Sequence, residues 1–207
     1  MTRVVEVAPE RLDRWLAGFA DRHGPYDATR EHTPGGVVVC AVAQDGSVAV
    51  ATPFVYDPLG VVLVRRGGYA AGLASADRLL AAKVGSRHVQ GRTAAGGWSQ
   101  QRYARRRANQ ADELVGAVVG HVQRVVLGEG LGARGEVSGI PAGLVVGGDR
   151  SLVRDVLDAP VLGALRELPR RELYDLPDPT RAVLETALRR GRAYRIELTE
   201  TAPAPVE

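Results

Sequence analysis

The stretch that decides the fold is Ser99 to Leu127, S-Q-Q-R-Y-A-R-R-R-A-N-Q-A-D-E-L-V-G-A-V-V-G-H-V-Q-R-V-V-L, which contains no proline. Its second half places Leu114, Val115, Val118, Val119, Val122, Val125 and Val126 at i, i+3 and i+4 spacing, the pattern of one apolar helix face. Ser99 is suited to cap the N-terminus. A helix over this range is about 43 Å long at a rise of 1.5 Å per residue. Its first turns are basic and carry almost nothing to bury. The C-terminal two-thirds is therefore expected to pack on a core, with the N-terminal end projecting into solvent or onto a partner.

Upstream, the β-rich runs Gly36–Ala43 and Ser47–Phe54 flank Gln44-Asp45-Gly46, whose Asp-Gly pair signals a hairpin. Gly60–Arg65 and Tyr69–Ser75 read as a third and fourth strand, and Val84–Arg92 as an edge strand leading toward the long helix. Before them, Pro9, Leu12, Trp15, Leu16 and Phe19 recur at helical spacing. They predict an amphipathic helix over residues 8–22, stopped near Gly24-Pro25, with Tyr26–Pro34 as a polar connector. Downstream of the long helix come a glycine-rich loop, Gly128–Gly139, a buried strand at Ala142–Val146, and a short helix, Arg150–Leu157. Val161–Leu168 is apolar and of open type. Asp178 or Thr180 can cap a helix running to Arg190 and stopped by Gly191, and Ala193–Thr199 closes as a strand. Ala202-Pro203-Ala204-Pro205 reads as a frayed tail. Strands first, then helices alternating with strands, predict an α/β fold, a mixed β-sheet packed with helices. The chain divides on this reading into an N-terminal helix and connector (1–34), a main domain (35–200) and a flexible tail (201–207).

With 207 residues, 45% hydrophobic and 25% charged, the chain has the composition of an ordinary globular protein able to bury a real core. The opening Met1-Thr2-Arg3-Val4-Val5-Glu6, followed by Pro9-Glu10-Arg11, lacks the apolar centre of a signal peptide, and no later run is long enough to span a bilayer. A cytoplasmic protein is expected. The lone cysteine, Cys40, sits in the apolar run Val37–Val42 and reads as a core residue. The net charge of +3 conceals segregation. Between Asp77 and Asp112 there is no acid, whereas Arg78, Lys83, Arg87, Arg92, Arg102, Arg105, Arg106 and Arg107 all fall there, so the rest of the chain is net acidic. Such a patch points to a polyanionic partner.

Several motifs carry less than they suggest. Gly130-Leu131-Gly132-Ala133-Arg134-Gly135 matches a dinucleotide fingerprint but follows a helix, which removes the strand-to-helix geometry that makes it work. Gly147-Gly148-Asp149 lies between a strand and a helix, where free N–H groups can hold an anion; a tight turn explains it more simply. His23, His32, His88 and His121 show no ligand spacing, so no metal site is expected, and there is no Gly-x-Ser-x-Gly elbow. Asp149, Asp155 and Asp158 crowd one short segment and read as a solvated helix face rather than a two-metal site.

Gly91–Arg107 is different. Thr93-Ala94-Ala95-Gly96-Gly97 offers nothing to bury, and its glycines tolerate backbone conformations closed to other residues. Arg102, Arg105 and Arg106 share a helical face suited to a phosphate backbone. Trp98 is a large ring on a polar tip, a placement that stacking on a base would explain.

Gly96-Gly97-Trp98-Ser99-Gln100-Gln101-Arg102-Tyr103-Ala104-Arg105-Arg106-Arg107 resembles the catalytic loop and following helix of the middle domain of eukaryotic and archaeal class-I translation termination factors. In that domain a Gly-Gly-Gln tip precedes a Ser, two small or apolar residues and an Arg-aromatic-Ala-Arg-x-Arg helix. A gapless match puts Trp98 where those factors have glutamine. Gly97-Trp98-Ser99-Gln100 is instead similar to the Gly-x-x-Gln arrangement of the release-factor-like peptidyl-tRNA hydrolases of ribosome-associated quality control, the Vms-type group with actinobacterial members. The resemblance spans roughly residues 35–199. It implies a ribonuclease-H-like fold lacking metal carboxylates, no cofactor, and codon-independent release of nascent peptides from peptidyl-tRNA on stalled ribosomes or large subunits. It further implies that Gln100 is catalytic on a Gly96-Gly97 tip that reaches the peptidyl-transferase centre, with Gln101 a rival for the role. Arg92, Trp98, Arg102, Arg105, Arg106 and Arg107 are then expected to contact ribosomal RNA or the tRNA. Cleavage of tRNA near its 3′ CCA end by the same loop, or ribosome and RNA binding without catalysis, are the alternatives.

Overall fold

Along the chain the backbone forms β1 (Thr2–Val7), α1 (Leu12–His23), β2 (Tyr26–Thr33), β3 (Gly36–Ala43), β4 (Val48–Thr52), β5 (Leu59–Arg65), β6 (Gly68–Ser75), β7 (Arg78–Ser86), α2 (Ser99–Val126), β8 (Gly143–Gly148), α3 (Arg150–Leu157), β9 (Arg170–Leu173), α4 (Arg181–Gly191) and β10 (Tyr194–Thr199). This is a computed structural model, and it describes residues 1–86, 99–128 and 140–201, the side chains of 99–108 excepted. The mixed α/β class is as expected, but the strands form two five-stranded sheets rather than one. They belong to two compact units, Met1–Tyr56 with Arg189–Glu207, and Asp57–Leu188.

In the first unit the sheet order is β1-β10-β4-β3-β2, antiparallel throughout. Alternate residues Val39, Ala41 and Ala43 of β3 are buried, and Leu12, Leu16 and Phe19 of α1 pack against them with Ile196 and Leu198. One covered face is what gives β3 its period-two pattern. Gly24, at φ +86°, ends α1, and His23 Nδ1 lies 2.9 Å from Asp45 Oδ2 in the β3–β4 turn. That turn is the expected hairpin, with Gly46 at φ +83°. Two strands are missing from the sequence reading. Tyr26–Thr33 is not a connector: it pairs with β3 along its whole length, from Tyr26 opposite Ala43 to Thr33 opposite Gly36. Thr2–Val7 pairs with β10 at the other edge.

The second unit has the order β7-β6-β5-β8-β9, with β5–β6 and β6–β7 antiparallel and β5–β8 and β8–β9 parallel. β5, β6 and β8 are buried almost throughout, so they read as unbroken apolar runs instead of alternations. On one face Val62, Val64, Ala71 and Val146 meet Leu114, Val118, Val122 and Val126 of α2 and Leu152, Val153 and Val156 of α3. On the other, Leu184 of α4 packs over Gly72, whose register partner is Val61. β7 starts at Arg78, earlier than expected, because it pairs with β6 from the turn onward, Arg78 standing opposite Ser75; residues 87–92 lie outside the described part. Val161–Leu168 resolves into a 3-10 turn, Pro160–Leu165, that buries Leu162 and Leu165. Thr180, rather than Asp178, caps α4, its Oγ1 accepting from Val183 N at 3.2 Å. Among the described residues no helix is long and apolar enough to cross a membrane.

Candidate functional site

The apolar stripe of α2 fixes where its basic end begins. Leu114, Val118, Val122 and Val126 are fully buried at four-residue intervals, and Ala111 is the first of its described side chains to pack on the core. Asn109, two residues earlier, is exposed. The helical backbone from Ser99 to Gln110 precedes Ala111 and spans about 18 Å of axis. That segment carries Gln100 and Gln101 in the first turn and Arg102, Arg105, Arg106 and Arg107 after it. The helical backbone sets Arg102, Arg105 and Arg106 on one face, as their spacing requires. Their side chains, together with Arg92, Gly96, Gly97 and Trp98, lie outside the described residues. The fingerprint-like Gly130–Gly135 and His88 do also.

One glycine and a ring stack hold the platform beneath this helix. A Cβ on Gly85, near the end of β7, would stand 2.4 Å from the Tyr69 ring, so only glycine lets the phenol cross β7. The phenol then stacks on His121 of α2, with centroids 5.0 Å apart and planes at 14°. Arg124 Nη2 donates to His121 Nδ1 at 2.8 Å. Because a guanidinium has only donors, the imidazole accepts there and carries its proton on Nε2. In the sequence His121 is one of four scattered histidines. The three-residue helical spacing to Arg124 was the available signal.

Burial, then the positive charges of Arg124 and Lys83, holds His121 below its ordinary pKa of 6.5. The unfolded chain therefore binds the proton first as pH falls, and the histidine's contribution to stability is complete above about pH 6.5 and lost below it. His121→Phe keeps a ring against Tyr69 and removes the titration. Urea melts between about pH 7 and 5 should show wild type losing stability faster than the variant. Parallel curves would disprove the assignment.

The Gly147-Gly148-Asp149 turn is structural. Asp149 caps α3, its Oδ1 accepting from Ser151 N at 3.0 Å and Ser151 Oγ at 2.7 Å. These bonds, led by the Ser151 hydroxyl, lower the Asp149 pKa from its ordinary value. The N–H groups an anion would use are occupied by the protein's own carboxylate. Asp155, beside Arg154 at 3.8 Å, and the half-spent Asp149 form no cation site, and no cluster of three or more metal-ligating side chains occurs among the described residues.

A family model described as the Actinobacteria/chloroflexi VLRF1 release factor matches residues 57–197 of the chain. That is more than half its length, and it begins at the first residue of the second unit. The hairpin at Asp45-Gly46 lies outside it. Comparison with curated proteins gave no match.

Proposed function

Since the chain belongs to the Actinobacteria/chloroflexi VLRF1 release factor family, we propose that it is a peptidyl-tRNA hydrolase. On this reading it frees nascent peptides from stalled ribosomes or large subunits in the cytoplasm, without reading a codon. The observation that carries the proposal is the start of α2 at Ser99. Gly97-Trp98-Ser99-Gln100 then straddles the entry to a long helix, with Gln100 in its first turn and an acid-free row of arginines behind it. The antiparallel β5–β6–β7 meander continued by parallel β8 and β9, with helices on both faces, supports a ribonuclease-H-like relationship for the second unit.

The chemistry needs little from the protein. Water adds to the ester carbonyl, the bond to the tRNA ribose breaks, and the proton passes to the ribose oxygen, leaving an intact 3′ hydroxyl and a free peptide carboxylate. A neutral glutamine serves by orienting the water and donating to the oxygen that gains charge, and closely spaced glycines allow the backbone to enter a narrow site. Arg102, Arg105 and Arg106 take phosphates of ribosomal RNA or the tRNA, and Trp98 stacks on a base. RNA and the substrate's own ribose supply the remaining stabilisation, so free protein should leave model esters nearly untouched.

The test is release of labelled peptide from ribosomal complexes holding P-site peptidyl-tRNA opposite a sense codon. Release with the tRNA 3′ end intact is the expected result. A truncated CCA end would establish nuclease chemistry in its place, and binding without release would leave an RNA-binding module.

A further inference from the structure

A second charged surface lies in the first unit, wholly before Asp57 and outside the matched region. Between β1 and α1 runs a groove of about 350 Å³ lined by Val5, Val7, Arg11, Arg14, Trp15 and Arg22, with Gly18 in its wall. Arg11, the residue before α1, and Arg14, Trp15, Gly18 and Arg22 on α1 follow one another at i, i+3, i+4, i+7 and i+11, the spacing of one helical face. All three arginines are exposed. Elsewhere in this unit Arg3 pairs with Glu200 at 3.3 Å, Arg190 with Glu6 at 2.6 Å and Arg195 with Glu197 at 3.7 Å. No described carboxylate lies within 4.0 Å of Arg11, Arg14 or Arg22. Glu6 lines the groove too, but both of its oxygens are held by Arg190. The groove is therefore positive and unneutralised.

Its aromatic wall is fixed. Trp15 is half-buried and stacks on the fully buried Phe19, with centroids 5.8 Å apart and planes at 8°. It cannot fold away without opening the core beneath α1. A Cβ on Gly18 would lie 3.5 Å from Arg22 Nη1, so the Arg22 guanidinium folds back along the groove wall.

We propose that this groove binds a short run of single-stranded RNA, with Arg11, Arg14 and Arg22 on successive phosphates and Trp15 stacked on a base. From Arg11 to Arg22 is about 16 Å of helix, too long for one phosphate and suited to several nucleotides. Every base offers a face to an indole, and arginines beside an aromatic ring are the elements of sequence-tolerant single-strand binding. An acidic peptide would satisfy the arginines but leave the indole without a partner. The inference draws only on residues of the first unit and stands apart from the release chemistry at Gln100.

The chain has two tryptophans, so Trp98→Phe leaves Trp15 as the sole indole reporter in the full-length protein. Adding an oligouridine of about ten nucleotides should quench it saturably, with a log–log salt slope of roughly −2 for three phosphates. Combining Arg11→Gln, Arg14→Gln and Arg22→Gln should weaken binding at least about tenfold and flatten that slope while circular dichroism stays unchanged. If the triple variant fails to fold, Arg14→Gln and Arg22→Gln singly should each still weaken binding by about threefold. Gln100→Ala should leave the signal intact, so this inference and the hydrolase reading fail separately. Unquenched fluorescence, equal quenching in the arginine variants, or tighter binding of an aspartate-rich decapeptide than of RNA would each overturn the proposal.

Discussion

Replacing Gln100 with alanine should slow peptide release by about a hundredfold or more, the usual cost of deleting one preorganised group that acts on developing charge. Affinity for the ribosomal complex should change by less than about twofold, because an uncharged side chain at the tip contributes little beside the arginines. This split between turnover and binding separates a residue acting on the reacting atoms from one that only contacts RNA. Gln101→Ala is the essential companion. Both glutamines fall in the first turn of α2, but consecutive residues point about 100° apart around a helix. Only one of them can face the ester when the arginine face at positions 102, 105 and 106 is seated on RNA. A large loss in Gln101→Ala with normal release in Gln100→Ala would transfer the role to Gln101. Normal release in both would remove glutamine from the mechanism.

The elements that were legible in the sequence are those whose own side chains make the core. α2 announces itself because Leu114, Val118, Val122 and Val126 repeat at the period of the buried stripe they form. β5 and β8 do so because, covered on both faces, they are apolar without interruption. β2 was illegible for the converse reason. Seven of its eight residues, Asp27 to Thr33, are polar or small, six in a row are exposed, and it is a strand only because β3 presents a matching ladder. β1, with two charged residues among six, is likewise an edge defined by its partner β10. The α1 groove stayed hidden with it. Arg11, Arg14 and Arg22 read as the solvated side of an amphipathic helix until a strand is known to run beside them. At the candidate site the sequence offers the motif, and the structure adds the helical backbone that puts Gln100 in the first turn of α2.

Gly148→Ala should cost about 3–4 kcal/mol, a large part of a domain's typical stability. Two effects add. Gly148 sits at φ +103°, where an L side chain is strained by about 1–2 kcal/mol. A Cβ there would also stand 2.1 Å from Val64 O and 2.8 Å from Val64 C, an overlap whose relief costs about 1–3 kcal/mol. The obstacle is backbone, so no side-chain rotation relieves it. Val64 O already accepts from Asp149 N at 2.7 Å, and β5 is paired with β8 up to Val64 and Gly148. Moving either strand away breaks the ladder that carries the turn. Gly147 is confined as well, its would-be Cβ lying 2.4 Å from Leu173 O of β9. The control is Gly116→Ala in α2, where nothing lies within 4 Å of the added methyl; it should stabilise by about 0.5–1 kcal/mol through helix propensity. Urea melts of the two variants should therefore move in opposite directions, and a Gly148→Ala protein as stable as wild type would refute the turn's role. The loss has a functional arm, because this turn seats α3, and Leu152, Val153 and Val156 of α3 share a core with the stripe of α2. Loosening it loosens the platform from which the basic end of α2 extends, so release should fall in Gly148→Ala even under conditions where most of the protein stays folded, while Gly116→Ala should retain it.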